Sequence, residues 1–239
     1  MNLSQNSIHL KRQIEQWAEY WYTTGPMFIK ARQGALTVEE LGRYLKGLEY
    51  LFSRAVSHMN SASESAKKSG NPELASFFKE KLKEELGHDL WATGDLARLE
   101  KEANQKIAPQ VCSSIYVLDR FIENSIHSDP IFYLGYSLLA EYITVLLAPR
   151  WIRDLEEKCQ ISRACLTAVS NHEEADRDHV EDNLNQFDRL AATQKDLNFE
   201  SMLSALGRIV QLYVEFSREV VSEVRDARES GITQPTIST

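Results

Sequence analysis

Apolar residues recur along this chain at three- and four-residue intervals over long stretches, the spacing that gathers them on one face of an α-helix. A first helix is predicted over residues 4–23, with Ile8, Ile14, Trp17, Ala18 and Trp21 on its apolar side, and Gly25-Pro26 stops it. A short helix over 27–32 ends at Gly34. Thr37, followed three residues later by Glu40, forms a capping box, so a long helix starts there and runs to about residue 68. Gly70-Asn71-Pro72 separates it from a helix over 72–103, and another covers 113–127 before Ser128-Asp129-Pro130. The helix over 130–158 is unusually apolar, and Pro149 should kink or cap it. After a helical piece over 162–169, Ser170-Asn171 offers an N-cap for the next helix, and a final helix spans 198–229. The pattern reads as all-α: residues 1–229 form one bundle domain of about seven helices, and 230–239 form a polar, flexible C-terminal tail.

Composition narrows the function rather than the fold. The chain has 239 residues, enough for a substantial single core, and a formal net charge of -8. That acidity argues against nucleic acid, which demands a concentrated basic face. No apolar run approaches the roughly 18–20 residues that span a bilayer, and the N-terminal residues lack a signal-peptide plan, so no membrane partner and a cytoplasmic location are expected. Cys112, Cys159 and Cys165 make neither a CxxC pair nor an even disulfide framework and read as buried or half-exposed thiols.

The candidate chemistry lies in three segments. His172, Asp176 and His179 follow one another at i, i+4 and i+7, within about 60° of arc on a helix, so their side chains can converge on one point. Two imidazoles and a carboxylate suit iron, zinc or manganese better than calcium or magnesium. Glu85 and His88, three apart, are neighbours on a helix surface, with Glu84 a rival to Glu85. Glu141 stands alone among Leu138, Leu139, Ile143, Val145 and Leu146, where a buried carboxylate needs a compensating partner, unless an arginine pairs with it or this face is exposed. Together the three segments supply three carboxylates and three imidazoles, a set able to hold two Fe(II) ions, with Glu85 or Glu141 bridging. The ferritin-like pattern does not fit, because only one well-placed ExxH is present.

The segment GALTVEELGRYLKGLEYLFSRAV resembles the second long helix of the TenA, PqqC and haem-oxygenase-like superfamily. Taken with Glu85-x-x-His88, Glu141 and His172-x3-Asp176-x2-His179, the chain resembles the haem-oxygenase-like diiron oxidases, with ligand spacing most similar to members that decarboxylate fatty acids to 1-alkenes, and it resembles CADD-like proteins. The resemblance implies a haem-oxygenase-like bundle with a nonhaem diiron centre, two Fe(II) per chain, and O2 as co-substrate. It implies Glu85, His88, Glu141, His172, Asp176 and His179 as metal ligands, with Glu85, Glu141 and Asp176 as the catalytic carboxylates. It further implies a small, carboxylate-bearing substrate that is cleaved, decarboxylated or hydroxylated, and a homodimer. The chain departs from relatives whose first histidine lies seven residues after its glutamate, since Ala92 stands seven after Glu85. Two other readings share the fold: a metal-free binding or regulatory protein of the TenA kind, and a thiaminase- or PqqC-like enzyme.

Other polar residues read more simply. Glu123 and His127 form a surface pair at a helix C-terminus, His9 beside Lys11 and Arg12 is exposed rather than a haem ligand, and Glu173, Glu174 and Asp178 face away from the triad. Tyr50, Phe52, Trp91, Tyr133, Tyr136 and Tyr142 read first as core and second as the wall of a substrate pocket.

Overall fold

A computed structural model describes residues 3–193 and 198–222, which form nine α-helices and one 3-10 turn with no strand. The helices are α1 (Gln5–Thr24), α2 (Pro26–Arg32), α3 (Val38–Lys68), α4 (Pro72–Glu84), α5 (Asp89–Ala103), α6 (Ser113–Ser128), α7 (Ile131–Cys159), α8 (Thr167–Thr193) and α9 (Phe199–Val220), and the 3-10 turn is Arg163–Cys165. The last helix ends at Val220, with Val221 as its C-cap, short of the expected 229, and the expected C-terminal tail lies outside the described residues.

Local signals account for most boundaries. Ser4, Asn71 and Asn198 cap α1, α4 and α9 through their side-chain oxygens, and Thr37 and Glu40 form the full capping box of α3. On α1 the buried face is carried by Leu10, Ile14, Ala18 and Trp21, while Ile8 is exposed.

Three expectations change. The helix over 72–103 is broken: Gly87 takes φ +88°, a conformation that a side chain disfavours, and the chain turns between α4 and α5. Glu85 is therefore the C-cap of α4 and His88 the N-cap of α5, joined by a turn rather than by a continuous helix surface. The helix expected to start at Ser170-Asn171 begins at Thr167 instead. Its first turn is capped from α5, where Asp95 accepts the Ala168 amide at 2.7 Å and the Thr167 hydroxyl at 2.7 Å. A cap supplied from 73 residues away has no local signature.

The third change concerns α7, which is long and apolar enough by length and composition to cross a membrane, with a mean hydropathy of 1.6 over 18 residues. Counting unbroken apolar residues misses this because Ser137 and Glu141 interrupt the run. Of that window 61% is buried inside the bundle, so its hydropathy is that of a central core helix wrapped by α1, α2, α6, α8 and α9. Pro149 lies inside α7 without ending it. The long packing seam between α7 and α8, with the α4–α5 break beside it, is where the candidate ligands lie.

Candidate metal centre

Five of the six candidate ligands form two overlapping groups, Glu85 with His88 and His172, and Glu85 with Glu141 and His179. Within each group the ligand atoms all lie within 4.8 Å of one another, and Glu85 belongs to both. Asp176 reaches the same space, with Oδ1 3.4 Å from His179 Nδ1. Glu85, His88, Glu141, His172 and Asp176 are buried, and His179 is nearly so. Glu84, by contrast, has a side chain 46% exposed and turns to Lys81 and His179.

Two of the imidazoles are braced by residues outside the ligand set. His172 Nδ1 lies 2.6 Å from the Ala168 carbonyl, which accepts its proton and leaves Nε2 as the bare nitrogen pointing inward. The His172 ring stacks on Phe52 at 4.2 Å, and His88 stacks on Trp91 at 4.1 Å, so both rings have restricted rotation. His88 Nδ1 lies 2.9 Å from Glu85 Oε2 across the Gly87 turn. Phe52, Tyr133 and Tyr136 line the cavity, the second of the two roles read for them, whereas Trp91 acts as a clamp on His88.

Glu141 is neither exposed nor paired with an arginine. Ser137 donates to its Oε1 at 3.0 Å, and the Asn183 amide donates to its Oε2. Asn183 continues the His172, Asp176, His179 stripe by another turn, a signal the sequence reading passed over. Burial, reinforced by the charges of Asp176 and Glu85, pushes the Glu141 carboxyl well above the usual range. Burial likewise raises Asp176. For Glu85 burial works upward too, but the His88 hydrogen bond and the imidazoles around it prevail and its pKa is lowered. Burial lowers His172, favouring the neutral imidazole that can bind a metal.

A divalent cation fits this set. His172 Nε2, Asp176 Oδ1 and His179 Nδ1 are buried atoms without a hydrogen-bond partner among the described residues. Leaving such an atom unsatisfied costs about 1–3 kcal/mol. Three of them converging beside two further carboxylates is the donor chemistry of a transition-metal site.

A cavity of about 170 Å³ opens from Glu85, Glu141, His172 and Asp176 into a mainly apolar interior. Its far wall brings Trp21, Phe28, Tyr44, Trp151 and Tyr213 from α1, α2, α3, α7 and α9; of these the sequence pointed only to Trp21, and to that as an apolar helix face rather than a cavity wall. Of the expected wall residues, Tyr50 and Tyr142 face elsewhere, toward Asp119 and Glu15.

The remaining residues fall mostly as expected. His127 pairs with Glu123 at 3.2 Å on the surface, His9 is exposed, and all three cysteines are free. A second buried group was missed: His58 on α3 is 2% exposed and has Nε2 2.9 Å from Asp119 Oδ1 and 3.6 Å from Glu123 Oε2, with Arg54 alongside.

No protein-family profile matches the chain, and no curated protein matches it. Solved structures do. A domain of unknown function with a heme oxygenase-like fold from Shewanella denitrificans OS217 superposes with a TM-score of 0.73 at 18% identity, covering 89% of this chain and 90% of that one. A TenA homolog from Pseudomonas syringae pv. tomato DC3000 superposes with a TM-score of 0.66 at 13% identity, covering 92% of this chain and 93% of the other. At these identities the likeness concerns architecture, and by architecture the chain is a heme oxygenase-like all-α bundle.

Proposed function

We propose that this protein is an O2-dependent nonhaem diiron oxidase or oxygenase acting on a small, carboxylate-bearing substrate. The observation that carries the reading is the pair of three-residue ligand groups sharing Glu85, a donor set that would hold two metal ions. Iron held there would supply the O2-dependent oxidative chemistry. The chain's own residues bind, orient and exclude water. Glu85, His88 and His172 would hold one ion, and Glu85, Glu141 and His179 the other, with Asp176 beside them. Asn183 and Ser137 fix the Glu141 carboxylate, and the Ala168 carbonyl fixes the His172 tautomer. The apolar cavity wall suits the hydrophobic body of a substrate whose carboxylate reaches the ligand group, and it keeps water from that group.

The alternatives account for less. A metal-free binding protein leaves the three inward-facing atoms of His172, Asp176 and His179 unsatisfied. A cysteine nucleophile is disfavoured because no cysteine lines the cavity and burial pushes Cys112 up to about 11 and Cys165 up to about 12, keeping both thiols protonated. A homodimer is proposed as well, as the family resemblance implies, and sedimentation would check it.

The test is to add ferrous iron anaerobically, measure stoichiometry, then admit O2 and follow visible absorption. Two equivalents per chain and a transient band are expected, with both lost in His172→Ala and Asp176→Ala. Turnover undiminished by a strong chelator would overturn the proposal.

A further inference from the structure

The cavity beside the candidate ligands has a size and a wall that restrict what it can hold. At about 170 Å³ it is little larger than an engineered protein cavity of about 150 Å³ that takes up benzene. One aromatic ring on a short chain fills such a space, whereas a saturated acid of about ten carbons or more has roughly twice the bulk of benzene and overfills it at interior packing density. The room comes from α7. Ser137, Glu141, Thr144, Ala148 and Trp151 follow one another there at spacings of four and three residues, so they share one face, and all line the cavity. Thr144 and Ala148 are small and leave the space between a carboxylate on one side and an indole on the other.

The far wall is built of rings that hold one another. Trp21 stacks on Tyr213 with centroids 5.0 Å apart and meets Phe28 edge-on at 5.0 Å. Trp151 meets Phe28 edge-on at 5.5 Å and Tyr44 at 4.6 Å. All five are buried and come from five helices, so none can swing aside without breaking a ring contact with another helix. A flexible alkyl chain gains only burial from such a wall, as it would from leucines. A ring gains burial and also the edge-to-face or offset-stacked contacts that extend the network, and it has fewer torsions to freeze. The other end of the ligand is fixed by charge. Among the described residues that line the cavity there is no lysine or arginine. An anionic group therefore finds a cation only where metal would be held, beside Glu85, Glu141, His172 and Asp176.

We propose that the substrate is a compact arylalkanoic acid, with one aromatic ring packed against Trp21, Phe28, Tyr44, Trp151 and Tyr213 and a short chain that carries its carboxylate to the ligand group. The inference rests on the diiron reading for the carboxylate end, and the ring end stands on the cavity alone.

The experiment compares probes of equal carbon number on the full chain. The metal-free protein is titrated calorimetrically with 3-phenylpropan-1-ol and nonan-1-ol, neutral probes because Glu85, Glu141 and Asp176 face the head group when no metal offsets them. The Co(II)-loaded protein is titrated with 3-phenylpropanoate and nonanoate. Burial alone favours the nonyl probes, so a phenyl probe that binds about 10-fold tighter in each pair, the expected result, is one that hydrophobicity does not produce. Ala148→Leu fills the cavity and should weaken phenyl binding by at least about 10-fold. Thr144→Leu, one turn along the same face, should do the same and serves if Ala148→Leu loses its far-UV circular dichroism. No binding of the phenyl alcohol, a nonyl probe as tight as its phenyl partner in either pair, or phenyl binding unchanged in the folded filled variants overturns the inference. If the phenyl alcohol is preferred but the chain takes up no Co(II), the diiron reading fails and the ring site stands. If two Co(II) ions bind and nonanoate is the tighter acid, the diiron reading stands and the ring site fails.

Discussion

Single residues decide how the centre is held and how the fold answers to acid. His58 is a buried histidine away from the candidate ligands, faced by Arg54 on its own helix, Asp119 and Glu123 on α6 and Tyr133 on α7. Burial lowers its pKa, and the charges of Asp119 and Glu123 recover only part of the shift. Its folded value lies below the unfolded one of about 6.5, so the stability it carries is present above that pH and is lost as pH falls toward the folded value. Burial works to raise Asp119, but Arg54 and His58 outweigh it and the pKa is lowered, so its contribution is also lost on the acid side. We expect the melting temperature to fall between pH ~7 and ~5.5, and His58→Gln to flatten that slope. An equally steep slope in the variant would contradict the assignment. Asn183 makes the other residue-scale case. Removing its amide in Asn183→Ala leaves Glu141 Oε2 without its donor and should weaken ferrous binding by about 10–100-fold with little change in circular dichroism. The sequence displayed His172, Asp176 and His179 because they share one helical stripe, but His58, Lys81 and Asp95 acquire meaning only from partners on other helices.

Among the elements, boundaries were legible wherever the cap is local. Thr37 with Glu40, Asn71 and Asn198 sit beside the helices they start, and their sequence context announces them. The start of α8, made at a distance, was not: Asp95 caps it from α5. Glu219 also caps from a distance, accepting the Ser113 and Ser114 amides of α6 from α9 at 2.7 and 2.9 Å, yet the α6 start at Ser113 was legible from the spacing of its own residues. The α4–α5 break was hidden for another reason: an isolated glycine is tolerated in a helical pattern, and only its φ of +88° reveals a turn. Because Ala168 gives its amide to Asp95 and its carbonyl to His172, the cap also sets the start of the ligand-bearing helix. Asp95→Ala removes a fully buried acceptor of three hydrogen bonds, from Arg98, Thr167 and Ala168, and should cost about 2–4 kcal/mol, lowering the melting temperature by roughly 5–15 °C in calorimetry. A shift under about 2 °C would show that α8 starts correctly without it. Gly87→Ala should cost about 1–2 kcal/mol through its left-handed backbone and disturb the Glu85–His88 approach, which stopped-flow measurement of ferrous uptake would register as slower loading.

For the whole molecule, periodicity was sufficient to read an all-α bundle, and the heme oxygenase-like neighbours bear out that architecture. The convergence of three distant segments on one point was also readable, since residue types that are costly to bury alone stood at spacings that could share a partner. The cavity was not readable: Trp21, Phe28, Tyr44, Trp151 and Tyr213 come from five helices and look like ordinary core in the sequence. The proposed chemistry requires that the two groups sharing Glu85 be two metal positions. An anomalous difference map at the iron edge, from crystals soaked anaerobically with ferrous iron, tests that most directly. It should show one peak against Glu85, His88 and His172 and another against Glu85, Glu141 and His179. A map with no peak at Glu85, or with iron only elsewhere on the protein, would contradict the claim.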